Sequence, residues 1–327
     1  MVRGRIITRI AQARYRFNWL KFWAAAGCLT LFAACAPLTQ KTWPLHQQPA
    51  IEAGYFVTAD GLRLPLKVHA AGEPQAVIVA LHGFNDYRTE FDMAAEWWMP
   101  RGITTYAYDQ RGFGGAPQRG IWPGAGILAD DTRSMISLVR KAHPGIPVYL
   151  LGMSMGGAVA LELAGSPMPP DVDGVILVAP AVWGWSALNP IYRGTLWLAA
   201  HTVRANKMTG QGLGIVASDN IEMLRALGRD PLIIHETRTD AVYGLVEQME
   251  RGYRAADRVR LPVLLLYGEK DEVIPREPVE DVIAALPGRK RMIIYPNGYH
   301  MLLRDLQAEN AWRDVAAFVS APPPATR

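Results

Sequence analysis

Val148-Tyr149-Leu150-Leu151-Gly152-Met153-Ser154-Met155-Gly156-Gly157, followed by Ala158–Gly165 (AVALELAG), is the stretch that decides the fold. It reads as an apolar strand, a run of small residues around a serine, and a helix. Glycines stand two residues to either side of Ser154, and that spacing has a mechanical reason. A serine on a sharp strand-to-helix turn has a strained backbone, and its neighbours two away must be small to avoid clashing. The turn lifts the hydroxyl clear of the sheet. The helix N-terminus behind it offers backbone N–H groups to a developing negative charge. A phosphate-binding glycine loop is the competing use of such a turn, but no GxGxxG is formed here.

Outward from this stretch the chain alternates strand-like and helix-like segments. Tyr55–Thr58 and Leu62–Leu66 flank Asp60-Gly61, a hairpin turn signal. Ala76–Leu81 (AVIVAL) is a continuous apolar run, expected of a strand covered on both faces. Ile103–Tyr108, Val175–Val178, Val263–Tyr267 and Met292–Tyr295 read as further strands. Ile127–Lys141 and Ala308–Val319 carry apolar residues at helical spacing. The alternation predicts an α/β architecture, a mainly parallel sheet flanked by helices. In such sheets ligands sit beyond the carboxyl ends of the strands. Residues 183–258 interrupt the pattern and are expected to form a helical insertion between two sheet strands.

A serine hydroxyl at neutral pH needs a general base, and the base is helped by a carboxylate that orients it. Of seven histidines, His300 lies in the loop after the last sheet strand and follows Ser154 in the sequence. The acid is expected from another strand-end loop, Gly268–Pro275. Asp271 is the choice there, with Glu269 and Glu272 as local rivals; the plain alternative is acids that solvate a turn beside Lys270. An oxyanion hole needs two N–H donors. Met155 follows the serine, and Phe84 follows Gly83 in the loop after AVIVAL. His82 is read as a residue that packs and holds that loop.

Taken together, His82-Gly83-Phe84, GMSMGG at 152–157, GEKDEVIP at 268–275 and GYHMLL at 298–303 resemble the α/β-hydrolase fold. The chain is most similar there to the monoacylglycerol lipase, lysophospholipase and serine aminopeptidase-like branch. Asp109-Gln110-Arg111-Gly112-Phe113-Gly114 matches that branch's structural D-x-R-G-x-G loop. The resemblance covers about residues 51–320. It implies Ser154 as nucleophile, Asp271 as acid and His300 as base, with Phe84 and Met155 in the oxyanion hole. It also implies a core divided into 51–182 and 259–321 by a cap at 183–258. No metal cluster or phosphate loop is evident in the sequence, so no cofactor or metal is expected. Trp183, Trp185 and Trp197, with Tyr192, Leu196 and Leu198, either line an acyl pocket in that cap or pack the cap onto the body.

Half of the 327 residues are apolar and 20% are charged, which suits a folded globular chain. The formal charge of +4 does not point to nucleic acid once the charges are located. Arg3, Arg5, Arg9, Arg14, Arg16 and Lys21 stand in residues 1–35 with no acid, leaving the rest of the chain at −2. Both cysteines, Cys28 and Cys35, are in that same leader. The body can therefore hold neither an internal disulfide nor a thiolate metal site.

Phe22–Leu38 then runs 17 residues without a charge, the layout of an export signal. Leu31–Cys35 resembles the lipobox of bacterial lipoproteins, which makes Cys35 the expected lipidation site and Cys28 a weaker one. A short transmembrane anchor and a cleaved signal without lipid are the alternatives. Residues 36–50, with Pro37, Pro44 and Pro49, are expected to form an extended tether. The implied location is a bacterial envelope, membrane-anchored and facing the periplasm.

Three functions fit these features. The first is a serine esterase acting on a small acyl ester such as a monoacylglycerol or lysophospholipid. The second is a peptidase, which needs an acid such as Glu222, Asp240 or Glu247 to hold a substrate ammonium. The third is a non-catalytic surface lipoprotein.

Overall fold

In the computed structural model, which describes residues 36–210, 212 and 214–321, the strand before Ser154 lies inside a nine-stranded sheet. In chain order the elements are β1 (Ala50–Glu52), β2 (Tyr55–Val57), β3 (Arg63–His69), β4 (Ala76–Leu81), α1 (Asp92–Trp98) and β5 (Ile103–Tyr108). Then come α2 (Ile127–Ala142), β6 (Val148–Met153), α3 (Met155–Ala164) and β7 (Gly174–Val178). The insertion holds α4 (Pro190–Thr202), β8 (Lys207–Met208), α5 (Ile221–Leu227) and β9 (Thr237–Arg238). The chain closes with α6 (Thr239–Ala255), β10 (Val263–Gly268), α7 (Arg276–Ala285), β11 (Lys290–Tyr295) and α8 (Ala308–Ser320).

The sheet order is β1-β2-β3-β5-β4-β6-β7-β10-β11. The hairpin strands and the β3–β5 pair are antiparallel; every pair from β5 through β4, β6, β7 and β10 to β11 is parallel. All six residues of β4, β5 and β6 are buried. Their unbroken apolar runs follow from cover on both faces, since successive side chains point to opposite sides. Val77, Val79, Leu150 and Leu177 enter one core layer. Ile78, Ala80, Leu151 and Ile176 enter the other. The register puts Leu81 opposite Gly152 and Gly152 opposite Leu177. The carboxyl ends of β4, β6 and β7 therefore open side by side.

Two differences from the sequence reading matter for the site. The helix α6, at the end of the insertion, packs on α3 behind Ser154 as well as on α4. A methyl group at Gly252 would stand 2.7 Å from the Ala158 carbonyl oxygen, so the two backbones meet where only hydrogen fits. The insertion between β7 and β10 thus includes a helix that lies against the body; the helical period of α6 does not reveal which layer it packs against. The segment 36–50 holds no helix, and it is not a free tether. Gln40 is buried, its amide donates to the Trp122 carbonyl at 2.8 Å, and its side-chain Nε2 donates to the Ile121 carbonyl at 2.9 Å. The helices α1 and α7 are also absent from the sequence reading, and α1 has only seven residues in which a period could show.

Candidate active site

Ser154 stands between β6 and α3 with φ 51° and ψ −115°, a conformation that costs a non-glycine residue free energy. Its neighbours explain how the strain is held. The Ser154 amide donates to Val178 at 2.9 Å, and its carbonyl accepts from Ala181 at 2.9 Å. A Cβ on Gly152 would come within 2.3 Å of the Gly156 carbonyl oxygen, and one on Gly156 within 2.1 Å of the Leu81 carbonyl oxygen. Glycine at both positions is what lets the turn close against β4.

His300 reaches this turn from the loop after β11. Its Nε2 is 3.1 Å from the Ser154 Oγ, and its Nδ1 is 2.8 Å from an Asp271 Oδ2. With Nδ1–H donating to the carboxylate, Nε2 is left as the acceptor for the serine hydroxyl. The Asp271 side chain is fully enclosed, and its other oxygen accepts the Val273 and Ile274 amides at 2.8 and 2.9 Å. The rivals lie elsewhere: Glu269 is exposed, and Glu272 accepts the Val216 amide of the cap at 2.8 Å. Such a line of groups can lower the cost of removing the serine proton and keep the resulting imidazolium paired.

Met155 is buried, and its amide is the first of α3; Phe84 follows Gly83 beyond β4. Among the described residues neither amide donates to a protein acceptor, as a pair of oxyanion donors requires. His82 has the holding role expected of it. The Gln110 amide donates to its Nε2 at 2.9 Å, so Nδ1 carries the proton and donates to the Gly83 carbonyl at 2.8 Å. Burial pushes its pKa below the usual imidazole range.

The cap closes over this site on several hydrogen bonds. The Met301 amide donates to Ala217, the Ile234 amide to Asn85, and the Tyr87 hydroxyl to Asp230. The expected aromatic cluster does not form as a unit. Trp183 is half-buried against the core layer that includes Met155 and Val159. Trp185 donates its indole N–H to Glu247 at 2.7 Å and leans on Tyr243. Trp197 is 51% exposed and stacks on His201 at 4.3 Å. Trp197 is turned outward because α4 buries only Ala200, whereas Trp185 precedes α4 and is held by Glu247 and Tyr243. Cys35 and Cys28 lie outside the described residues.

Charged residues that the sequence reading passed over brace the site. Asp305 accepts the Tyr299 amide at 2.8 Å and the Ser218 hydroxyl at 2.6 Å, and burial raises its pKa. Arg304 pairs with Asp86 and donates to the Glu90 carbonyl, while the Glu90 carboxyl accepts the Gly83 amide. Nothing local marks these residues in the sequence, since the burial of a charge is set by partners far along the chain.

Comparison with known proteins places the chain in a family and a fold. The family model described as Hydrolase_4, "Serine aminopeptidase, S33", matches residues 72–307. Rat monoglyceride lipase is 28% identical over 267 residues, covering 79% of this chain and 86% of that protein. Monoacylglycerol lipase of Mycolicibacterium smegmatis is 24% identical, over 81% of this chain and 95% of its own. A solved monoglyceride lipase from Saccharomyces cerevisiae superposes with a TM-score of 0.70 at 19% identity, covering 85% of this chain and 98% of that one.

Proposed function

The chain belongs to the serine aminopeptidase S33 family of α/β hydrolases, and from that premise we propose that it hydrolyses carboxylic esters with a monoacylglycerol- or lysophospholipid-like acyl group. The observation that carries the reading is the unbroken hydrogen-bonded line from Asp271 through His300 to Ser154. In this reading Ser154 attacks the ester carbonyl while His300 takes its proton. The oxygen, now negative, is held by the Phe84 and Met155 amides. His300 then returns the proton to the leaving alcohol, and water repeats the sequence on the acyl-enzyme. The named activities of the relatives, monoglyceride and monoacylglycerol lipase, support the substrate class.

Two of the three acids that the peptidase alternative could use are already engaged. Asp240 is enclosed and paired with Arg238 through both oxygens, and Glu247 already accepts from Trp185. Glu222 stands exposed on α5.

The same proposal places the enzyme at a membrane, exported and held by lipid on Cys35. Support comes from the leader and from the residues that follow it. Arg204, just past α4, donates to the Ala36 carbonyl at 2.8 Å, which holds the residue next to Cys35 in sequence beside the cap. The α4 face there exposes Ile191, Tyr192, Trp197 and Leu198. From Ser186 to Ser218 the sequence holds Arg193, Arg204 and Lys207 and no acid. An apolar surface flanked by Arg193 and Arg204 suits an anionic lipid interface, while Lys207 is already paired with Glu236.

Hydrolysis of p-nitrophenyl esters across chain lengths tests the activity. Loss in Ser154→Ala is expected, and full activity in that variant refutes the reading. Labelled palmitate incorporation that survives Cys35→Ala removes the lipid anchor.

A further inference from the structure

We infer that Glu90 is a positioning residue of the oxyanion loop: its carboxyl holds back the Gly83 amide and so aims the Phe84 N–H at an acyl oxygen on Ser154. The inference rests on the ester-hydrolase reading above.

Glu90 lies just before α1 and is only 4% exposed, an unusual place for a carboxyl. Its Oε2 accepts the Gly83 amide at 2.6 Å. A Cβ built on Gly83 would stand 3.4 Å from the Ser154 Cβ and 3.6 Å from the Glu90 Oε1. Gly83 is therefore sandwiched between the nucleophile and the buried carboxyl. With its own N–H turned back to Glu90, Gly83 cannot serve as an oxyanion donor, and the next amide, Phe84, is the one left free. Its carbonyl is fixed as well, by the Nδ1–H of His82. Both polar groups of Gly83 are thus committed away from the site.

The carboxyl's charge has a consequence for the chemistry. The charged groups facing it are Asp86 from its own loop and Arg304 from the loop that follows His300; the adjacent His82 is neutral. Burial first, and the Asp86 carboxylate second, push Glu90 up to about 8, against the pull of Arg304 and of the Gly83 amide. At neutral pH the carboxyl keeps its proton and adds no negative charge behind the place where the oxyanion forms. Once it ionises, it opposes that oxyanion through a poorly screened interior.

The test is the pH dependence of kcat/KM for p-nitrophenyl butyrate, with the purified full chain in detergent between pH 6 and 9.5. The wild type is expected to lose activity roughly tenfold on an alkaline limb with its midpoint near 8. Glu90→Gln still accepts from Gly83 but does not titrate. It should remain within about threefold of the wild type at pH 7 and lose the limb. Asp86→Asn removes the repulsion that holds the proton on Glu90 and should move the limb to lower pH. Glu90→Ala, which frees the Gly83 amide, should lower kcat by roughly tenfold to a hundredfold with little change in KM. Absence of the limb in the wild type overturns the inference, as does its persistence in Glu90→Gln or its shift to higher pH in Asp86→Asn. If Glu90→Gln does not fold, the wild-type and Asp86→Asn profiles decide. Fluorophosphonate labelling of Ser154 separates the two failures. Labelled enzyme with an unmoved limb sinks only the role of Glu90, and absent labelling sinks the ester-hydrolase reading beneath it.

Discussion

Arg304 reaches Asp86 with its two terminal nitrogens, at 2.8 and 3.3 Å, and so ties the loop that carries His300 to the loop that carries Phe84. Both side chains are at least nine-tenths enclosed, and the third nitrogen of the guanidinium donates to the Glu90 carbonyl at 3.0 Å. The base and the oxyanion donor come from chain segments far apart in sequence. This strut is what keeps their separation fixed.

Removing one partner of such a pair leaves the other charged, buried and unpaired. Arg304→Met should therefore cost about 3–5 kcal/mol of stability, read as a lower urea midpoint. Activity at permissive temperature should fall as well, because both loops lose their brace. A loss under about 1 kcal/mol would show that water replaces the guanidinium and that the strut is dispensable.

Asp271→Asn separates orientation from folding. The asparagine Oδ1 can still accept from the Val273 and Ile274 amides, so the loop should keep its shape. What is lost is the carboxylate charge that accepts the His300 Nδ1–H and, with it, the preference for the tautomer that receives the serine proton. A fall in kcat of roughly 10⁴-fold with little change in melting temperature is expected. Activity within tenfold of the wild type would give Glu269 or Glu272 the role instead.

Glu90 also writes a pH dependence into stability. Its ionisation is pushed up to about 8 in the folded chain, against an ordinary value of 4.5. Between those values the folded state keeps a proton that the unfolded chain has released. The stabilising effect of that proton is complete below 4.5, falls as pH rises, and is gone above 8. Unfolding free energy should drop on the order of 5 kcal/mol across this window. Urea denaturation at pH 5.5 and 8 should show a smaller drop in Glu90→Gln, and equal slopes in the two proteins would count against a neutral buried carboxyl.

The parts of this molecule legible in its sequence are those fixed by local chemistry. Six-residue apolar runs mark β4 and β6 because both sheet faces are covered, and Gly152 and Gly156 mark the serine turn because a methyl there would strike backbone. His300 and Asp271 could be picked out because a parallel sheet gathers its strand ends on one edge. Glu90, Asp86 and Arg304 look like surface charges in the sequence, and only long-range packing buries them. The helix α6 has a clear helical period, yet that period names no partner, so its place behind α3 could not be read. Trp197 carries the same ambiguity: an aromatic residue on an apolar helix can face a pocket, a core or, as here, the outside.

That outward face permits a test that divides membrane docking from catalysis. Ile191 is 74% exposed and Leu198 56%, so replacing both by aspartate removes little packing and should leave the fold intact. If α4 lies on lipid, the double variant loses the transfer of two aliphatic side chains and adds charge that anionic headgroups repel. Turnover of monoacylglycerol embedded in vesicles containing anionic lipid should then fall at least about tenfold. Hydrolysis of a short soluble ester by the same variant should stay within about twofold, since Ser154, His300 and Asp271 are untouched. Matching losses on both substrates would place these side chains in the acyl path and not at the membrane. Unchanged rates on both would leave the apolar face without a lipid partner.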